Sequence, residues 1–161
     1  MHYMKKDIEE VIFSEIHPSL KEIEGGKFIL YWSRNAKDDI IDIFSKSYKM
    51  LLHLYKILVF LSDRRIKYDP DIYGKENEGK PNMVVAMKFK GDSQITHNLR
   101  IYCQEHEILG QFHIVMDKVH KGKRTKKNSK KENDIIRSVA KKSYKLIIQE
   151  IILSKRPRRK Q

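Results

Sequence analysis

Cysteine is nearly absent from the chain: Cys103 stands alone among 161 residues. One thiol forms no internal disulfide, so nothing points to an oxidising compartment. A long apolar run is missing as well. Tyr48 to Leu61 comes nearest, but Lys49, His53 and Lys56 interrupt it, and it is too short to span a bilayer. The first twelve residues mix Lys5, Lys6, Asp7, Glu9 and Glu10 with apolar side chains and hold no signal-peptide stretch. These absences lead to the expectation of a cytoplasmic protein with no membrane partner. Metal-ligand spacing is also lacking. His97, His106, His113 and His120 fall seven or more residues apart, with no H-x-x-x-H or C-x-x-C partner. Neither G-x-x-x-x-G-K-S/T nor G-x-G-x-x-G occurs, which removes support for nucleotide hydrolysis and dinucleotide binding. The expectation is therefore no metal and no cofactor.

What the chain does have is positive charge, unevenly placed. The formal net charge is +13. Residues 1–116 hold 17 Lys and Arg against 17 Asp and Glu. Residues 117–131 hold eight Lys or Arg against one acid, Asp117, and residues 155–161 add five more basic side chains. Basic charge clustered in this way concentrates a polyanion and releases counterions on binding. RNA is the expected partner. The tail at 155–161 is equally well read as solvated charge.

Periodicity divides the rest of the chain. Met4 to Ile16 has helical spacing, and residues 1–26 read as an N-terminal helical extension closed by Pro18 and Gly25-Gly26. Residues 27–153 read as one α+β domain, and 154–161 as a basic tail. Lys27 to Trp32 is strand-like, and Ser33 is a candidate N-cap. Asn35 to Leu61 is strongly helical, with Ile40, Phe44, Tyr48, Leu51, Tyr55 and Leu58 in one stripe and a break expected at Ser45 to Ser47. That wide apolar face predicts burial on more than one side. Asp63 to Pro81 reads as a loop. Three alternating segments follow, around Met83–Phe89, Leu99–Cys103 and Phe112–Met116. They predict a small antiparallel sheet with one buried face and one available face. A single helix is expected over Lys131 to Leu153, ended by Pro157.

The available face would carry Lys88, Lys90, Arg100 and Tyr102. The last strand would lead into Lys118, His120, Lys121, Lys123 and Arg124, with Lys126 and Lys127 beyond. Lys and Arg can hold phosphates, and a Tyr ring can stack a base. An imidazole within such a basic run can exchange protons near neutral pH. Ordinary solvated strand faces are the competing account of Lys88, Lys90 and Tyr102.

The run Leu30-Tyr31-Trp32-Ser33-Arg34-Asn35-Ala36-Lys37-Asp38-Asp39-Ile40-Ile41-Asp42-Ile43-Phe44 resembles the opening strand and helix of the RelE/ParE toxin superfamily. The segment Ile114 to Arg124, ending His120-Lys121-Gly122-Lys123-Arg124, resembles that family's last strand with its basic end. The resemblance covers about residues 27–153. It implies a RelE-like fold, with a sheet packed on two helices and followed by a C-terminal helix. It also implies either cleavage of mRNA, mostly at the ribosome, or poisoning of DNA gyrase; in the RNA-cleaving reading an acidic cognate antitoxin holds the toxin inactive. The basic surface favours the RNA-cleaving branch. In that chemistry the 2′-OH attacks the neighbouring phosphate without a metal. The resemblance assigns phosphate stabilisation to Arg100 and Arg124, and a base or charge-stabilising role to Lys88 or Lys90. It makes His120 a candidate acid and places Tyr144 where some members carry a catalytic Tyr. A core aromatic beside Ala140 and Ile148 is the other reading of Tyr144.

Three functions thus compete: a RelE-like endoribonuclease toxin, a non-catalytic RNA-binding or ribosome-associated module, and a ParE-like gyrase inhibitor. The first is expected to arrest growth on expression, with Arg100→Ala or Arg124→Ala relieving the arrest while the fold survives. Unchanged growth with intact mRNA would sink it. Salt-sensitive RNA binding without scission marks the second, and DNA-damage signalling with intact transcripts marks the third.

Overall fold

The computed structural model describes residues 7–20, 28–63, 67–77, 80–91, 98–122 and 128–155. Among the described residues, six strands and five α-helices occur in the order β1 (Ile8–Glu10), α1 (Phe13–Ile16), β2 (Phe28–Ser33), α2 (Arg34–Lys46), α3 (Tyr48–Ser62), β3 (Tyr73–Asn77), β4 (Val84–Phe89), β5 (Leu99–Ile108), β6 (Gln111–Lys121), α4 (Lys130–Ala140) and α5 (Tyr144–Lys155), with a short 3-10 turn at Pro18–Leu20 after α1. Serine sets the helix starts. Ser33 Oγ accepts a hydrogen bond from the Ala36 amide at 3.3 Å, and Ser47 Oγ accepts one from Met50 at 3.1 Å. Ser47 is the expected break between the two helices. Ser129 and Glu132 open α4 with reciprocal caps.

The strands form one sheet in the order β1-β2-β6-β5-β4-β3. β2 and β6 run parallel and every other neighbouring pair is antiparallel. The sheet is therefore mixed, and larger than the small antiparallel one expected. The parallel pair arises because α2 and α3 carry the chain away from β2, and the following hairpins return β6 beside it in the same direction. Two strands come from segments read differently in the sequence. Ile8–Glu10, expected to be helical, pairs with Ser33, Trp32 and Tyr31, since the free edge of β2 accepts its backbone and Ile8 is buried there. Tyr73–Asn77, expected to be loop, pairs with β4 and buries Tyr73.

Alternation sends Phe28, Leu30, Trp32, Met87, Ile101 and Ile114 to one face, beneath α2 and α3. There Phe44 meets Phe89 edge-on, with centroids 5.4 Å apart. The opposite face is covered too, correcting the expectation of an available face. α4 lies on Val84, Ala86 and Tyr102, and α5 lies on Ile8, Tyr31 and Val115. The single helix expected over 131–153 is two helices. Gln104 Nε2 donates to the Val139 and Lys142 carbonyls at 2.9 Å each, and Asn82 Nδ2 donates to Ala140 at 2.9 Å. These side-chain amides satisfy carbonyls that a continuing helix would otherwise bond, so the chain turns at 141–143. α3 is buried on one side only. Tyr48, Leu52, Tyr55 and Val59 are exposed, which corrects the expectation of wider burial. Among the described residues, no helix is long and apolar enough to cross a membrane.

His106 and His113 face each other across β5 and β6. His106 contacts Gln104 Oε1 at 2.6 Å, and His113 contacts the Tyr31 hydroxyl at 3.0 Å. Burial, then Lys145 and His113, pushes His106 down to about 4. Burial also depresses His113. The folded state thus keeps both rings neutral where the unfolded chain takes up protons.

Two measurements follow from this packing. Phe89→Ala is expected to cost about 3–5 kcal/mol in urea unfolding, whereas Tyr48→Ala on the exposed side of α3 shifts stability by no more than about 0.5 kcal/mol. Stability is expected to fall as pH drops from about 6.5 toward 4, because the unfolded state binds more protons in that window. His106→Gln should shrink the fall in urea midpoint between pH 7 and pH 5. An equal fall in that variant would show that this ring is not its source.

Candidate functional site

A defect in the sheet decides which side chains share a face. β5 and β6 pair Tyr102 with Lys118 but Cys103 with Met116, so Asp117 is an extra residue without a cross-strand partner. Such a bulge shifts the alternation by one position. Before it, Ile114 and Met116 point to the α2/α3 core. Unbroken alternation would send Lys118 and His120 there as well. After the bulge, Val119 packs against that core, and Lys118 and His120 lie on the opposite face with Tyr102 and Arg100.

Three basic residues consequently form one cross-strand row. Lys88 on β4 pairs with Arg100 on β5, and Arg100 pairs with His120 on β6. All three are half-buried. Lys88 Nζ donates to the Pro70 carbonyl at 2.6 Å and stands 3.9 Å from Glu76 Oε1. The other carboxylate oxygen of Glu76 accepts from Asn128 Nδ2 at 3.1 Å. The His120 ring lies 6.5 Å from the ring of Tyr102, between centroids. The row therefore brings together an ammonium, a guanidinium and an imidazole, with a carboxylate at the Lys88 end. That set can neutralise a phosphate and exchange protons beside it.

Other expected residues fall elsewhere. Tyr102 is buried beneath α4, with its hydroxyl donating to Glu132 Oε2 at 3.3 Å, so it offers no open face for a base. Burial, followed by the charges of Glu132 and Glu76, raises its pKa and keeps it protonated. Lys118 is half-buried opposite Tyr102. Lys121 pairs with Leu99 and so lies on the other face from His120. Lys90 is exposed just past the end of β4. Lys123, Arg124, Lys126 and Lys127 lie outside the described residues.

Tyr144 does not join the row. It is buried at the start of α5 beside Tyr31, Val115 and Ile148. Its hydroxyl donates to Asp117 Oδ1 at 2.5 Å, while Lys142 Nζ donates to Asp117 Oδ2 at 2.7 Å. Ser33 Oγ donates to the Asp117 carbonyl at 3.2 Å. Burial, then the Asp117 charge, raises the Tyr144 pKa, so this phenol serves as a donor and not as a base. The partners of Asp117, namely Ser33, Lys142 and Tyr144, line an open cavity of about 520 Å³, with Arg34, Asn35, Lys141 and Asp7 around it.

Reading the residues alone missed Glu76, Asp117, Arg34 and Lys142. Asp117 left one trace, as the only acid in the basic run 117–131. Glu76 sits in a segment without periodicity, and Lys142 resembles any surface lysine until α4 and α5 separate. Among the described residues, no group of three or more His, Cys, Asp or Glu side chains is arranged to hold a metal ion. Compared with family models, with curated proteins and with solved structures, the chain shows no significant match to any.

Proposed function

We propose that the chain is a RelE-like endoribonuclease that cuts mRNA without a metal, the toxin of a pair whose acidic antitoxin covers the basic face. The observation that carries this reading is the Lys88–Arg100–His120 row, assembled across three neighbouring strands with Glu76 at its end. The element order, a strand and two helices followed by antiparallel strands and C-terminal helices, is compatible with it.

The chemistry follows from the groups present. The RNA 2′-oxygen forms a bond to the adjacent phosphorus as its proton passes to a base, for which Glu76 is available. Arg100 and Lys88 offset the charge that grows on the non-bridging oxygens. The bond from phosphorus to the 5′-oxygen breaks, and His120 hands a proton to that leaving oxygen. The products are a 2′,3′-cyclic phosphate and a 5′-hydroxyl. The fixed positive pair lowers the barrier because it faces charge that develops only in the transition state. An acidic partner fits the same surface, since a net charge of +13 favours association with a polyanionic peptide as well as with RNA.

Purified protein is expected to cleave a single-stranded RNA in the presence of EDTA and to leave cyclic-phosphate ends. Arg100→Ala and His120→Ala should each lower the cleavage rate by about 10²–10³-fold with an unchanged unfolding midpoint. RNA that binds in a salt-dependent way but stays whole would favour the non-catalytic module. Failure to bind RNA together with gyrase inhibition would favour the ParE-like reading.

A further inference from the structure

We propose that the cavity between Arg34 and Lys141 is a second subsite for single-stranded RNA, holding a phosphate and its nucleotide further along the strand from the Lys88–Arg100–His120 row. The occupant class rests on the RNA reading above; the cavity and its charge do not.

The floor is electrostatically closed. Asp117 is fully buried, and both carboxylate oxygens are taken, one by Lys142 and one by Tyr144. Lys142 is thereby neutralised, and the phenol stays protonated. The field at the cavity mouth then comes from the rim. Arg34 and Lys141 are both exposed, and neither forms an ion pair with any described residue. Asp7 is the opposing charge at the rim. Two cations that form no ion pair among the described residues, over a neutralised polar floor, suit an anion. A volume of about 520 Å³ is large enough for a sugar and base beside it, and Asn35 supplies an amide able to read a base edge.

Position links the cavity to the row. Lys142 and Tyr144 line the cavity and hold Asp117 beneath it, and His120 of the row lies three residues on from Asp117 along β6. That is about 10 Å at the rise of a strand, which is more than one phosphate step along an extended RNA chain. Lys118 lies between them on the same face, because the bulge puts it there. A strand of RNA crossing from row to cavity meets positive charge at each step.

The test uses the whole protein and a labelled oligouridylate whose 2′-hydroxyls are all methylated, so that it cannot be cut. Binding is read by fluorescence anisotropy across a range of salt concentrations. Arg34→Ala/Lys141→Ala is expected to weaken binding about tenfold or more and to lower the salt slope by roughly 1.4, two contacts at about 0.7 each. Asp7→Asn should tighten binding, a change that a purely structural role for the rim would not produce. Lys49→Ala/Lys56→Ala on α3 removes the same charge elsewhere and should stay within about twofold of wild type. Thermal unfolding of each variant separates lost binding from lost fold. The proposal is overturned if the rim pair costs no more than the α3 pair, if Asp7→Asn has no effect, or if wild type fails to bind the oligomer. It is also overturned if free uridine monophosphate competes as well as the oligomer, which would make the cavity a mononucleotide site. Cleavage of the unmethylated oligomer is scored separately on wild type. A chain that binds through the rim but does not cut refutes the nuclease and leaves the subsite standing.

Discussion

Asp117 is held from three directions, and the arrangement of the basic row depends on that grip. Lys142 and Tyr144 hold its carboxylate and Ser33 holds its carbonyl, so elements from the start, middle and end of the chain meet at one residue. A buried carboxylate is tolerable only when its oxygens are satisfied, and here each has a donor. The bonds keep the extra residue of β6 in place, and the extra residue reverses the alternation of everything after it. Lys118 and His120 face Arg100 because Asp117 has no cross-strand partner. Removal of the bulge would drive a lysine and a histidine toward the apolar layer under α2 and α3, where burial of their charge is costly.

The same clamp explains how a strongly basic chain folds. Positive charge gathers at one end of the sheet, but carboxylates are set among it. Glu76 stands near Lys88, Glu132 accepts from Tyr102, and Asp117 pairs with Lys142. Each lessens repulsion among the cations without cancelling the excess on the surface. The buried tyrosines Tyr102 and Tyr144 complete the pattern as neutral donors to these acids.

Much of the layout could be read from the residues. The helical stripe through Ile40 and Phe44 placed α2, Ser47 marked its end, and alternation located β4, β5 and most of β6. Alternation places Lys88 and Arg100 on one face, whereas His120 reads only as part of the basic run that follows the last strand. The failures have physical causes. β1 is a strand only because the edge of β2 is there to pair with it, and no local propensity records a distant edge. The alternation of 112–116 carries no sign of the bulge at Asp117, since the residue looks like one more polar position in a basic run. Tyr102 read as a surface ring because nothing in β5 reveals that α4 will cover it. The turn at 141–143 depends on Gln104 and Asn82, amides that lie decades of residues earlier in the chain.

The parallel pairing of β2 with β6 also imposes a schedule. Ser33 and Asp117 are 84 residues apart in the chain yet bonded to each other. Chains emerge from the ribosome N-terminus first, and contacts of such long separation close late. A nascent chain that has extruded β2, α2, α3, β4 and β5 still lacks His120, the bulge that orients it and the α4–α5 turn that locks the bulge. The basic row can therefore be assembled only after β6 has been made, later than every other strand of the sheet.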